Sequence, residues 1–143
     1  MTYLFDSSLV VPALVVEHPE HERALPWIDR VAEDEIEAVL AAHTLAEVYA
    51  TLTVLPGSPR ISPRMASEMM RQSLAKVQIV PLTAADYRRT VERMANMGLP
   101  GGLIYDALIA CAAEKIHADG LVTFNVGHFR RVWPEGRDRI ITP

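Results

Sequence analysis

The amino-acid sequence predicts an α/β protein, a three-layer α/β/α sandwich around a mostly parallel sheet of four to five strands. Short apolar segments rich in strand-forming residues alternate with segments of helical apolar spacing along the chain. Connections of helical length between parallel strands are right-handed crossovers, and they cover both faces of such a sheet with helices. The 143 residues, half of them hydrophobic, are enough for one domain with a buried core. We therefore expect a single domain over residues 1–143.

The first part of the chain predicts two strands, each followed by a helix. Residues 2–6 form a short apolar strand, and Ser7 or Ser8 can cap the helix that follows it. The apolar spacing of residues 21–34 predicts a second, amphipathic helix, and residues 36–43 predict the second strand.

The middle of the chain predicts two helices separated by a loop. Thr44 and Glu47 are three residues apart, as in a capping box, which predicts that a helix begins at Thr44. Three prolines within residues 56–64 indicate a loop, and residues 64–74 then predict the next helix.

The last part predicts three more strands and two long helices. Thr83 is expected to begin the first of these helices and Gly98 to end it, while Gly120 is expected to end the second. The predicted ranges are a strand at 77–82, a helix at 83–98, a helix at 103–119, a strand at 121–124 and a short fifth strand at 139–142.

Composition and charge restrict the classes of function. The net charge of −4 argues against bulk electrostatic attraction to nucleic acid, although it is compatible with a local basic patch. No apolar run approaches the roughly 20 residues of a membrane helix. The first residues lack the basic region of a secretory signal, so we expect a cytoplasmic protein without membrane contact. Cys111 is the single cysteine, which excludes an intramolecular disulfide and a cysteine-based metal cage.

Four polar side chains are expected at one edge of the sheet. Asp6 ends the first predicted strand and Asn125 follows the fourth. Ligands of such sheets bind outside the carboxyl ends of the strands, near a switch in strand order. Glu47 and Asp106 lie near the starts of two helices that can reach the same edge.

Each of the three acids also has a purely structural interpretation. Asp6 and Asp106 can stabilise the first turns of their helices through the helix dipole, and Glu47 can close a capping box with Thr44. Three carboxylates at one edge repel one another, however, unless a cation or a shared proton compensates. Oxygen ligands without cysteine or paired histidines favour Mg²⁺ or Mn²⁺ over Zn²⁺. Four histidines show no mutual ligand spacing and are expected to be structural or solvated: His18, His21, His43 and His117.

Four segments of the sequence carry a family resemblance: YLFDSSLVVPAL, HTLAEVYATL, YDALIACAAE and LVTFNVGHF. In order and approximate spacing they resemble the PIN-domain ribonucleases, and the chain looks most like a VapC toxin of a VapBC toxin–antitoxin pair. The most specific part is YDALIACAAEKIHADGLVTFNVGHF, in which a helix-borne Asp is followed by a strand and a T-x-N-x-x-[DH]-F turn. The resemblance covers nearly the whole chain and implies a PIN-like fold.

The resemblance implies a metal-dependent ribonuclease and gives the four polar residues their roles. The family's first, second and third acids match Asp6, Glu47 and Asp106, which would hold one or two Mg²⁺ or Mn²⁺ ions. Its fourth site matches Asn125, which would orient a bound water or a ligand carboxylate. RNA would be cut to a 3′-hydroxyl and a 5′-phosphate. The implied protein partners are a VapB-like antitoxin and a second copy of the chain in a homodimer.

Residues that follow the fourth strand are candidate accessory groups. Similar proteins usually carry an acid where this chain has His128, which either binds metal or phosphate, or assists proton transfer, or packs on the surface beside Phe129. Arg130 and Arg131 either bind backbone phosphates or are solvated charges on a short helix. The hydroxyl of Thr123 either completes the strand end or contacts a water on the metal.

Two other classes of function fit parts of the sequence. A phosphoryl-accepting receiver or an aspartyl-phosphate phosphatase also places an Asp after its first strand. The receiver needs a paired acid and the phosphatase a D-x-D arrangement, and FDSS supplies neither. The alternative to the nuclease is a catalytically weak or inactive module of the same fold that binds RNA or a protein partner, because Asn125 and His128 carry no carboxylate.

Overall fold

The computed structural model describes residues 1–143, which form five strands, seven α-helices and a short 3₁₀ helix. The strands are β1 Thr2–Phe5, β2 Glu37–Ala41, β3 Gln78–Val80, β4 Gly120–Val122 and β5 Ile140–Ile141. The helices are α1 Ser7–Leu14, α2 His21–Ala32, α3 Ala42–Val54, α4 Pro63–Ser73, α5 Ala84–Met97, α6 Leu103–Lys115 and α7 Val126–Val132, with the 3₁₀ helix at Pro134–Arg139. None of the helices combines the length and apolar character needed to cross a membrane.

The five strands form one sheet in the order β3-β2-β1-β4-β5, and every neighbouring pair is parallel. The chain runs from β1 outward to β2 and β3, then returns to β4 on the other side of β1. The strand order therefore switches between β1 and β4, where Phe5 lies opposite Val122. The residues that follow these two strands leave the sheet side by side, at the edge where open α/β sheets bind ligands.

Both faces of the sheet are covered by helices, so the predicted three-layer sandwich is confirmed. Phe5 and Leu40 belong to an apolar cluster with residues of α1, α2, α3 and α4. Leu4 and Leu121 belong to a second cluster with residues of α5, α6 and α7. Neighbouring side chains of a strand point to opposite faces, so β1 contributes to both clusters. Burial on both faces explains why the buried parts of the three central strands, residues 3–5, 38–41 and 120–122, are apolar without alternating polar residues.

The predicted ends of α5 are confirmed. Thr83 caps the helix: its hydroxyl accepts the N–H of Asp86 at 3.2 Å, and the Asp86 carboxylate accepts the N–H of Thr83 at 2.8 Å. Gly98 ends the helix with a φ of 67°, a left-handed conformation that glycine adopts without strain.

The capping box predicted at Thr44 and Glu47 is wrong. β2 passes directly into α3, which begins at Ala42 with Ala41 at its N-cap and no side-chain capping bond. The Thr44 hydroxyl is buried without a hydrogen-bond partner. Because the helix starts earlier than predicted, Glu47 lies in its second turn, and its side chain is not used to close the helix end.

The predicted end of α6 at Gly120 is also wrong. The helix stops at Lys115, and Gly120 is the first residue of β4. A Cβ at Gly120 would lie 2.6 Å from the Cδ1 atom of Ile141 and 3.0 Å from the ring of Tyr3. This glycine is thus required by close packing between neighbouring strands and not by the end of a helix.

Gly136, in the 3₁₀ helix, packs directly against the ring of Trp133. A Cβ at Gly136 would lie 2.0 Å from the Cε2 atom of Trp133. The ring is 1% exposed, and its N–H donates to Glu114 at 2.7 Å, so it has no room to move. We expect Gly136→Ala to lower the free energy of unfolding by about 1–3 kcal/mol, as overpacking does. Urea denaturation measures the change.

Gly127 in α7 provides the matched control. A Cβ there would meet no atom within 4 Å, and alanine is favoured over glycine in a helix by up to about 1 kcal/mol. Gly127→Ala should therefore leave the protein as stable as wild type or slightly more stable. Equal free energies of unfolding for the two variants would contradict the packing argument.

Candidate functional site

Asp6 lies where β1 passes into α1. It caps α1 in place of the predicted Ser7 or Ser8, because its backbone is extended (φ −104°, ψ 174°) and its carboxylate accepts the N–H of Leu9 at 3.3 Å. The structural interpretation of Asp6 is therefore part of its role. One capping bond does not account for the rest of its surroundings, since Asp6 is only 3% exposed and carries two further hydrogen-bonding partners.

Two hydroxyl groups hold the Asp6 carboxylate. Thr123, directly after β4, donates to Oδ2 at 2.9 Å. Ser8 Oγ lies 2.8 Å from Oδ1 and 3.0 Å from Oδ2. Each hydroxyl oxygen accepts a main-chain N–H at 2.9 Å, Ser8 from Phe124 and Thr123 from Asn125. Each hydroxyl oxygen therefore accepts a hydrogen bond from a main-chain N–H of the segment after β4. The hydroxyl proton is then available to donate to the Asp6 carboxylate.

Burial dominates the acidity of Asp6. It raises the pKa of the carboxyl from 3.8 to about 6. The hydrogen bonds from Ser8, Thr123 and the N–H of Leu9 oppose this rise, and the negative charge of Asp106 adds to it. In the folded protein the carboxylate is thus oriented by donors but is not neutralised by a positive charge.

Glu47 reaches the same edge from α3. Its carboxylate accepts a hydrogen bond from the Ser7 hydroxyl at 3.2 Å and lies 3.4 Å from Nε2 of His43. Burial raises the pKa of Glu47, and the charge of Asp106 raises it further, while His43 and Ser7 lower it. Glu47 is therefore close enough to Asp106 for their charges to interact.

Asp106 reaches the edge from the first turn of α6. Burial raises its pKa, and His128 opposes that rise. The Nδ1 atom of His128 lies 3.2 Å from Oδ2 of Asp106. His128 is thus exposed at the surface, as one interpretation of the sequence expected, and its ring also contacts one of the three predicted acids.

The structure brings the three predicted acids to one edge. The charge of Asp106 acts on both Asp6 and Glu47. None of the three is paired with Lys or Arg, because Glu47 and Asp106 contact histidines and Asp6 is held by hydroxyl groups and a main-chain N–H. No three acidic, histidine or cysteine side chains are arranged so that they already enclose a metal ion. The donor set still fits a hard cation, because all three are carboxylates with uncompensated charge.

Asn125 lies at the start of α7, and the two arginines lie in its last turn. Asn125 is exposed and caps α7 without a side-chain capping bond, so its amide is free to face a ligand. Arg130 and Arg131 are exposed in the last turn of α7. None of these side chains forms a hydrogen bond or ion pair with the three acids, and their roles as accessory groups stay predictions.

The sequence interpretation missed two residues of the site. His43 was expected to be structural or solvated, yet it contacts Glu47 at 3.4 Å. Their i,i+4 spacing on one helix was the available signal, because such residues share a face. Ser8 was considered only as a helix cap, whereas its hydroxyl donates a hydrogen bond to the carboxylate of Asp6. Its role depends on the Phe124 N–H, which no local pattern connects to it.

Comparison with known proteins gives consistent matches. The family model of the PIN domain matches residues 3–133. Ribonuclease VapC27 of Mycobacterium tuberculosis is 32% identical over 114 residues, which are 80% of this chain and 78% of that protein. Ribonuclease VapC40 of the same organism is 30% identical over 113 residues, covering 79% of each chain.

Solved structures share the fold at lower identity. VapBC2 from Rickettsia felis, crystallised with a DNA fragment from its promoter, aligns with a TM-score of 0.67 and 20% identity over 100% of this chain and 98% of the other. VapC20 of Mycobacterium tuberculosis, described as a toxin that cleaves the sarcin–ricin loop, aligns with a TM-score of 0.67 and 17% identity over 86% and 89% of the two chains.

The raised pKa of Asp6 predicts how stability depends on pH without metal. Because folding raises this pKa from 3.8 to about 6, the folded state favours the protonated acid. The associated stability is complete below about pH 4 and is lost as the pH rises through about 6, by roughly 3 kcal/mol in total. Asp6→Asn carries no such charge. Its free energy of unfolding, relative to wild type, should therefore rise by up to that amount between about pH 4 and pH 7.5.

Urea denaturation in chelator at several pH values measures this difference. Asp138→Asn, at an exposed position of the 3₁₀ helix, is the matched control for the loss of one negative charge. A difference between Asp6→Asn and wild type that does not change with pH would show that the buried carboxyl carries no such penalty.

Proposed function

The chain belongs to the PIN domain family, in which its named relatives are VapC ribonucleases, and we propose that it is a toxin endoribonuclease dependent on Mg²⁺ or Mn²⁺. Residues 1–143 form a single PIN domain in this proposal. One observation carries it: three carboxylates from separate elements lie at the same edge of the sheet, close enough for their charges to interact, without a Lys or Arg to balance them. Such an uncompensated group in a folded protein is typical of a functional site.

Asp6, Glu47 and Asp106 would hold the ion. Such an ion supplies Lewis acidity, which makes water a better nucleophile and offsets the charge that builds on the phosphate oxygens. Ser8 and Thr123 keep the Asp6 carboxylate in one orientation, and Ser7 does the same for Glu47. These hydroxyls act as orienting partners, as hydrogen-bond donors to ligating carboxylates commonly do.

His128 would orient Asp106 through its Nδ1 atom, 3.2 Å from the carboxylate. Asn125 carries no charge, and its exposed amide can orient a water or a carboxylate oxygen by donating hydrogen bonds. Neither His128 nor Asn125 supplies a carboxylate, where similar proteins usually carry an acid at the first position and either Asp or Asn at the second, so the edge has less negative charge. We therefore propose that one tightly held ion suffices for activity, with any second ion bound more weakly.

RNA would approach the edge from the side of α7. Arg130 and Arg131 are exposed there and can neutralise backbone phosphates. A net charge of −4 means that this attraction must be local. Cleavage of the phosphodiester by water would leave a 3′-hydroxyl and a 5′-phosphate.

A VapB-like antitoxin and a second copy of the chain would be the protein partners. Similar folds have been crystallised as VapBC, which supports an antitoxin partner. Exposed apolar side chains on α3 and α4, among them Tyr49, Val54 and Met65, support an interface there, since large apolar groups exposed together often mark protein contacts.

The alternative function is an RNA- or protein-binding module without efficient cleavage. It is favoured by Asn125, where many similar proteins have Asp and others Asn, and by His128, where they usually carry an acid. Metal-dependent cleavage separates this alternative from the nuclease.

Replacement of a metal-binding acid should abolish cleavage. Asp106→Asn keeps the size and polarity of the side chain but removes its charge, so Mn²⁺-dependent cleavage of RNA should fall to the level seen in chelator. Denaturing gels of a labelled RNA measure the rate. Asp138→Asn should cleave like wild type, and cleavage by Asp106→Asn at the wild-type rate would remove Asp106 from the site.

Mn²⁺-dependent melting provides a control that does not depend on activity. An ion that binds only the folded state stabilises it by about 2.7 kcal/mol at a hundredfold excess over Kd. The melting temperature of wild type should therefore rise in Mn²⁺, and that of Asp106→Asn should rise much less. A variant with normal melting in chelator shows that loss of cleavage is not loss of fold.

His128→Ala should weaken the hold of the site on its metal. Without the Nδ1 contact, Asp106 loses an orienting partner, and the Mn²⁺ concentration for half-maximal cleavage should increase about tenfold. Titration of the cleavage rate with Mn²⁺ measures this. An unchanged titration would mean that the histidine plays no part in metal binding.

A further inference from the structure

The rings of His43 and Tyr105 stack on each other beside the acids. Their centroids are 5.4 Å apart and their planes differ by 6°. His43 comes from α3, where its Nε2 atom lies 3.4 Å from the carboxylate of Glu47. Tyr105 comes from α6 and directly precedes Asp106. The aromatic pair thus contacts Glu47 through His43 and adjoins Asp106 along the chain.

Tyr105 is unusually open for a ring that already has a stacking partner. It is 53% exposed, whereas the core rings of Phe5 and Phe129 are fully buried. The backbone before it is also open, because a Cβ at Gly101 or Gly102 would meet no atom within 4 Å. An aromatic ring that served only to pack α6 against α3 would bury its surface, since burial is the source of its contribution to stability.

The position of Tyr105 suits a nucleotide base. A phosphate bound at the acids would bring its neighbouring bases towards the ring, because Tyr105 directly precedes Asp106 and stacks on His43, which contacts Glu47. Aromatic side chains bind unpaired bases by stacking, which tolerates any sequence because every base has a flat face. His43 limits the rotation of Tyr105 by covering one side of it, so less conformational entropy is lost when a base stacks on the ring.

We propose that Tyr105, held in place by His43, is a stacking platform for one base of single-stranded RNA next to the phosphate that is cut. This inference rests on the proposed ribonuclease function. It names a binding contact that the acids cannot supply, because carboxylates repel the RNA backbone and recognise no base. His43 is a positioning residue in this arrangement, and Tyr105 contacts the substrate.

The test measures binding without cleavage. A fluorescein-labelled oligoadenylate and an abasic ribose-phosphate oligomer of equal length are titrated with protein in chelator, and anisotropy gives each Kd. Tyr105→Ala should weaken oligoadenylate binding roughly ten- to a hundredfold and leave binding of the abasic oligomer unchanged. Tyr105→Phe should bind like wild type, because it keeps the ring. An oligoadenylate containing 2-aminopurine should lose fluorescence on binding to wild type and not on binding to Tyr105→Ala.

Two further variants complete the design. Tyr87→Ala removes another exposed tyrosine, 42% exposed on α5, and should bind oligoadenylate like wild type. Tyr105→Leu keeps an apolar contact with His43 but lacks an aromatic face, so it should bind as weakly as Tyr105→Ala. It provides the same comparison if the alanine variant does not fold.

Four outcomes would overturn the proposed stacking platform. The first is an equal affinity for oligoadenylate of wild type and a folded Tyr105→Leu. If wild type still cleaves RNA in Mn²⁺, the proposed ribonuclease function is unaffected by that outcome. Equal weakening for the abasic oligomer would show that Tyr105 acts on the backbone and not on a base. A wild-type protein that cleaves RNA but does not bind oligoadenylate in chelator would also exclude it, since stacking needs no metal. A wild-type protein that neither binds oligoadenylate nor cleaves RNA would overturn both the stacking platform and the ribonuclease function.

Discussion

The buried carboxylate of Asp6 is the group on which the arrangement of the functional edge depends. It follows β1 and is held by a hydroxyl that follows β4, Thr123, so it joins the ends of two neighbouring parallel strands. A buried carboxylate without donors would cost several kcal/mol. The hydroxyls of Ser8 and Thr123 reduce that cost without adding a positive charge. The edge is therefore ordered and remains negative.

Comparison of Asp6 with Asp86 shows that the missing positive charge is specific to this edge. Both residues are 3% exposed. The Lys115 ammonium donates to Asp86 at 2.9 Å and holds the pKa of that carboxyl well below its usual range, with help from the N–H of Thr83. Burial raises the pKa of Asp6 instead. Asp86 thus has a cationic partner that lowers its pKa, whereas Asp6 has only uncharged donors to oppose the effect of burial.

Local sequence patterns succeeded where the interaction was local. Helix α5 begins after Thr83 and ends at Gly98, as predicted, because capping depends on residues within one helical turn. The same pattern failed at Thr44, since the end of β2 runs straight into α3 and the position of the strand determines where the helix begins. Gly120 was likewise read as a helix end, although its small size is required by Tyr3 and Ile141 of neighbouring strands.

The sequence by itself determined the alternation of strands and helices, the parallel sheet, and the expectation that Asp6, Glu47 and Asp106 meet at one edge. Periodicity and the geometry of parallel strands are sufficient for these conclusions. Only the tertiary structure decided which groups surround each acid. The bond from Thr123 to Asp6 joins residues 117 positions apart, and the stack of His43 on Tyr105 joins two helices. Such contacts depend on how the elements pack in space, which no local pattern of residues encodes.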